Sequence, residues 1–177
     1  VETDDDVMSA LEDKARQSPL RRVELQEAIE FIWLEADLLD AQNYPEWLAL
    51  WTAGGHYVIP IERDADDHAA QLNIVYDDAT MRAARVKRLM SGLSMSASPS
   101  ARTVRTVSRF RRLDDVDGAT VIRCAQHLVE YKYDRTRTLA ADVTFRLVRS
   151  GAGLAIERKV VRLVNSDDAL FGIGYLL

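Results

Sequence analysis

Past Pro99 the chain stops reading as helix. Apolar and polar residues alternate in four long runs, about residues 102–113, 119–133, 138–149 and 154–165, and this period of two marks half-buried strands. Asp117-Gly118 separates the first two runs and Gly151-Ala152-Gly153 the last two. Both are turn sequences, because they tolerate positive φ. Consecutive hairpins predict an antiparallel sheet, and strands this long need strong twist or bulges to close around a core.

Such a sheet needs a second layer, and the first ninety residues supply it. Ser18-Pro19 is a helix start, since proline is tolerated in the first turn and serine caps free amides. From there Leu25, Ile29, Ile32, Ala36 and Leu39 recur in steps of three and four, predicting an amphipathic helix to about Asp40. Asn43 and Glu46 form a capping-box pattern ahead of a short helix holding Trp47, Leu48, Leu50 and Trp51, which Gly54-Gly55 stops. Tyr57, Ile59 and Ile61 then alternate along a strand whose Pro60 argues for an edge or a strand end. Residues 62–67 read as loop and 72–76 as a brief strand. Asp77 or Asp78 caps a third helix running to about Gly92, with Val86, Leu89 and Met90 facing inward. Helices first and strands after give an α+β fold.

At 177 residues and 47% hydrophobic content, one compact domain over 19–177 is expected, preceded by an acidic arm over 1–18 that carries Glu2, Asp4, Asp5, Asp6, Glu12 and Asp13. A net charge of -5 opposes a general role on nucleic acid or an anionic membrane, which reward surplus Lys and Arg. The single Cys124 excludes an internal disulfide framework and a Cys-rich zinc site. No run approaches the ~20 apolar residues that span a bilayer, and the N-terminal stretch is acidic where a secretory signal is basic and apolar, so a cytoplasmic protein is expected. Trp33, Trp47 and Trp51 are assigned to the core.

Chemistry-bearing motifs are sparse. His56, His68 and His127 lie on separate segments without ligand spacing. There is no Gly-x-Ser-x-Gly elbow and no Walker loop, and Gly172-Ile173-Gly174 is too short and too late to open a dinucleotide fold. A pocket acid-base pair would draw on Asp37, Asp40, His56, Tyr57, His127 and Tyr131. The arginines are the stronger signal. Arg85 and Arg88 flank the third helix, and two-residue alternation puts Arg105, Arg109 and Arg111 on one side of the next strand. They form either a solvated face or a contact with partner carboxylates, which the planar guanidinium fork suits.

One family orders its motifs in the same way. Tyr44-Pro45-Glu46-Trp47-Leu48, then Arg85-Val86-Lys87-Arg88-Leu89 with Ser91-Gly92, then Pro99-Ser100-Ala101-Arg102-Thr103 resemble the small (β) subunits of aromatic-ring-hydroxylating dioxygenases. The chain departs from that pattern at Thr52-Ala53-Gly54-Gly55, where relatives commonly carry Thr-Asp-Asp. The resemblance implies the cone-shaped, curved sheet of nuclear transport factor 2 and ketosteroid isomerase. It also implies a non-catalytic subunit that forms a homotrimer and supports large (α) subunits carrying a Rieske iron-sulfur cluster and a mononuclear iron. With one cysteine this chain cannot build that cluster, which takes two Cys and two His, so no cofactor, metal or catalytic residue is assigned to it. Arg85, Arg88, Arg102, Arg105 and Arg109 are its expected subunit-contact residues. The competing expectations are a free-standing lyase or isomerase of the same fold, and a cone-fold module for a small hydrophobic ligand.

Overall fold

The computed structural model describes residues 23–64, 66–91, 100–151, 153–168 and 173–177. The acidic arm and the Ser18-Pro19 helix start lie outside them. Helix α1 (Leu25–Asp40) and the short α2 (Tyr44–Ala49) lead into strands β1 (Trp51–Pro60) and β2 (Asn73–Asp77), helix α3 (Ala79–Met90), and strands β3 (Arg102–Arg112), β4 (Thr120–Lys132), β5 (Arg135–Ser150) and β6 (Gly153–Leu163). The strands form one sheet in the order β2-β1-β6-β5-β4-β3. Its inner face packs on α1 and α2, around Ile32, Leu39, Trp47, Tyr57, Ile122, Leu128, Phe145 and Leu163.

The sheet is not wholly antiparallel: β1 runs parallel to β6, so the first strand is closed by the last. Gly54-Gly55 does not end a helix. Trp51 already belongs to β1, and the register against β6 shifts between Trp51 and His56. A Cβ on Gly55 would lie 2.9 Å from the Ile156 carbonyl oxygen, so the glycine permits the close approach of the two strands at this bulge. Pro60 sits at the end of an interior strand, where the pairing with β2 also shifts.

Local sequence chemistry decides the ends. The Asp78 carboxylate accepts a hydrogen bond from the Met81 amide at 2.8 Å and caps α3. The capping box at Asn43 does not form, as the Asn43 side chain makes no cap bond, and Pro45 in the first turn starts α2 instead. Asp117 and Gly118 both take positive φ, as their turn requires. Tyr133 and Asp134 do so as well, making a two-residue turn between β4 and β5 without glycine.

Three packing expectations are corrected. Met90 is 60% exposed, so the inward stripe of α3 is Arg82 and Val86 with Leu89 partly covered. Trp33 is 43% exposed and stacks edge-on against Phe110, whereas Trp47 and Trp51 are buried. Arg105 and Arg109 do not share a side of β3. Arg109 has φ 56 and lies in a bulge between Ser108 and Arg111, which turns the strand's phase over.

Candidate functional site

The inner side of the sheet, where an enzyme of this fold would hold substrate, carries a cluster of buried polar groups within the apolar core. Glu35 follows Ile32 by three residues on the buried stripe of α1, and Lys159 is in phase with Val161 and Leu163 on β6. They meet as a fully buried pair, with Lys159 Nζ 2.7 Å from Glu35 Oε1. Trp47 Nε1 donates to the same carboxylate oxygen at 2.8 Å. The segment 173–177 enters beside them. Lys159 Nζ donates to the Leu177 main-chain oxygen at 2.8 Å, and the Leu177 amide donates to the Tyr57 hydroxyl at 3.0 Å. Burial pushes the Lys159 ammonium below its usual pKa against the pull of Glu35, and pushes the Tyr57 hydroxyl above its own. Tyr175 donates to Glu130 from the same segment.

The acid-base candidates do not converge. Asp37 is exposed on α1 and His127 on the outer side of β4. His56 packs on the Tyr76 ring, with centroids 5.3 Å apart, and Tyr131 donates to Asp134 at 2.9 Å. Asp40 is occupied, accepting from Thr103 Oγ1 and from the Arg105 amide, each at 2.7 Å. Only Tyr57 faces the cone interior, and its hydroxyl is bound to Leu177. Among the described residues no group of three or more His, Cys, Asp or Glu stands together to hold a metal ion. Cys124 is buried against the Val143 carbonyl, with its thiol pushed up to about 12 by burial. A Rieske cluster therefore does not fit this chain.

The arginines split into two groups. Arg85 forks onto Asp77, itself buried, with Nη2 to Oδ1 at 3.0 Å, and that bond raises its pKa. Arg105 turns inward and binds Asp40 and the Leu176 carbonyl oxygen. Both therefore hold the fold together. Arg88 is exposed on α3. Arg102 is exposed at the start of β3 and lies 4.7 Å above the Tyr131 ring. Arg109, with 62% of its side chain exposed, pairs with Asp142 on the outer face of the sheet. Beside Arg102 the cross-strand pair Val104 and Val129 is exposed, continuing the uncovered strip along β3 and β4. Sequence reading missed Arg82, which is buried over the Trp51 ring at 4.2 Å and bonds to the Gly55 carbonyl. Its place one helical turn before Val86 was the available signal.

A family model described as the ring hydroxylating beta subunit matches residues 34–167. The chain belongs to this family. It is 35% identical over 156 residues to the β subunit of benzene 1,2-dioxygenase from Pseudomonas putida, covering 81% of this chain and 83% of that one. Its fold is similar to the crystal structure of the β subunit of the benzoate 1,2-dioxygenase from Burkholderia mallei, with a TM-score of 0.72 at 22% identity over 88% of this chain and 99% of that one. An NTF2-like protein with a cystatin-like fold from Novosphingobium aromaticivorans superposes with a TM-score of 0.54 at 12% identity, covering 93% of this chain and 92% of that one. The α+β cone is thereby shown. No helix among the described residues is long and apolar enough to cross a membrane.

Proposed function

We propose that this β subunit is a structural, non-catalytic part of a cytoplasmic aromatic-ring-hydroxylating dioxygenase. In this reading it forms a homotrimer that supports large (α) subunits, and those subunits carry the Rieske cluster and the mononuclear iron. The internal pairing of the buried polar groups carries the reading. A catalytic relative of this fold needs an open cavity with free acid and base, whereas here Glu35, Lys159 and Tyr57 spend their hydrogen bonds on one another and on the chain's own segment 173–177. The lyase or isomerase reading is not favoured on the same ground.

The outward-facing residues supply the contacts in this reading. Arg102, with Val104, Val129 and Tyr131 beside it, gives an apolar strip edged by a guanidinium, the mixture that interface centres favour. Arg88 and Arg109 extend the contact surface, while Arg105 supports it from inside the fold and the half-buried Arg85 through its pair with Asp77. Co-expression with the large subunit tests the proposal. A stable complex should form with iron in the large subunit, and the β subunit alone should sediment as a trimer. A monomeric β subunit that turns over substrate alone would refute the proposal.

A further inference from the structure

Residues 173–177 follow the last strand but belong to no strand or helix themselves. Among the described residues no hydrogen bond joins their main chain to another main-chain group. Side chains hold them instead. Arg105 of β3 donates to the Leu176 carbonyl oxygen, and Lys159 of β6 donates to the Leu177 main-chain oxygen at 2.8 Å. The Tyr57 hydroxyl of β1 accepts from the Leu177 amide at 3.0 Å and donates to the Leu177 main-chain oxygen at 3.2 Å. Glu130 of β4 accepts from the Tyr175 hydroxyl. Four strands thus contribute one side chain each, and Leu176 and Leu177 are buried among them.

Each of those four side chains is also fixed by a group outside the segment. Glu35 holds Lys159 Nζ at 2.7 Å, and Trp47 Nε1 in turn fixes Glu35. Asp40 holds Arg105, and Arg137 Nε holds Glu130 at 3.1 Å. The Tyr57 ring stands edge-on to Trp47 and Trp51, with centroids 6.0 and 6.2 Å away. The donors and acceptors are therefore preorganised, whether or not the segment is seated. What they read is the main chain of two successive residues, the tyrosine hydroxyl just before them and two apolar side chains. That is the chemistry of an extended peptide ligand.

We propose that the inner side of the sheet is a peptide-binding cleft and that residues 173–177 are its ligand, able to leave and return while the rest of the domain stays folded. The segment adds no strand to the sheet, so its departure breaks side-chain bonds and uncovers Leu176 and Leu177 but leaves every strand pairing and helix in place. The covalent link keeps its effective concentration high, and the cleft stays occupied. A free peptide of the same sequence then competes for the same side chains. The cleft lies on the inner face, so its chemistry does not depend on the subunit contacts proposed above.

Hydrogen exchange of the full chain, followed by NMR, tests the release. The Leu177 amide should exchange at least roughly a hundredfold faster than the amides of β5, and with little dependence on urea, because the opening is local. Tyr175→Phe removes the bond to Glu130 and should speed exchange at Leu177 by about tenfold while β5 is unchanged. Fluorescence anisotropy tests the cleft. A variant lacking residues 173–177 should keep the parent's circular dichroism and bind one N-terminally labelled peptide of that sequence per chain, and the same peptide carrying Leu176→Asp at least roughly tenfold more weakly. Exchange at Leu177 that tracks β5 in either protein would overturn the proposal, since the segment would then be an inseparable part of the core. An unfolded deletion variant, no saturable peptide binding, or equal binding of the two peptides would each overturn it as well.

Discussion

The two faces of one sheet use cationic side chains in opposite ways. On the inner face Arg105 and Lys159 are buried, and each is held by a carboxylate and by a main-chain oxygen of the segment 173–177. On the outer face Arg102 rests on an aromatic ring, Arg109 pairs in the open, and Arg123, Arg158 and Arg162 keep their charge unmatched by a carboxylate among the described residues. The difference is one of phase along the strand, since neighbouring positions on β3 or β6 point to opposite sides. A cation's role in this protein therefore follows from which face it takes, and each face predicts its own kind of failure.

The largest effect should come from inside the cone. Glu35→Ala leaves the Lys159 ammonium without its carboxylate at a site with no solvent, and urea denaturation should show a loss of roughly 3–5 kcal/mol. Glu35→Leu combined with Lys159→Met should recover part of that loss, because no charge is then buried, while the Trp47 Nε1 and the Leu177 main-chain oxygen that lose their partners keep the remainder. A single-variant loss under about 1 kcal/mol would erase the contrast between the faces.

Arg105→Ala comes next. It orphans the Leu176 carbonyl and one side of Asp40, which keeps some solvent contact, so a loss of roughly 2–3 kcal/mol is expected. Its sedimentation at concentrations where it remains folded should match the parent. Arg102→Ala should do the reverse, costing under about 1 kcal/mol of stability while weakening association with itself or with the large subunit. If Arg102→Ala sediments like the parent and Arg105→Ala does not, the assignment of faces is inverted.

The smallest effect is a pH slope. Burial raises the Cys124 thiol from 9.0 to about 12, so native and unfolded chains are both protonated below 9.0. Between 9.0 and about 12 the unfolded thiol ionises while the native one does not, and stability falls as pH rises. Tyr57 and Tyr175, also raised by burial, act in the same direction above 10.0. Urea midpoints measured across the free thiol's pKa should therefore decline, and Cys124→Ala should flatten the first part of the decline.

Most of the architecture was legible in the sequence because hydrophobic period is a local signal. The ends of β3, β4 and β6 fall within a few residues of the alternating runs, and Asp78 caps α3 through its own side chain. What stayed hidden is decided by distant chain. Gly54-Gly55 read as a helix stop because nothing near them reveals that β6 will press against Gly55. The bulge at Arg109 shifts the register of β3 against β4, a strand further along the chain that sets Ala125 opposite Ser108 but Arg123 opposite Arg111, and it reversed the face assigned to two arginines. Glu35 and Lys159 each sat in phase with apolar neighbours, but their pairing across 124 residues has no local trace.

The parallel pairing of β1 with β6 has a kinetic consequence. Its partners lie roughly a hundred residues apart, so the chain must close a long loop before that contact can form, and such contacts slow folding. During synthesis β1 can pair only with β2 until β6 has left the ribosome. A chain halted before Gly153 would leave the other edge of β1 open, with the main-chain groups of His56, Tyr57 and Val58 that face β6 unpaired, in the form most prone to join another unfinished chain.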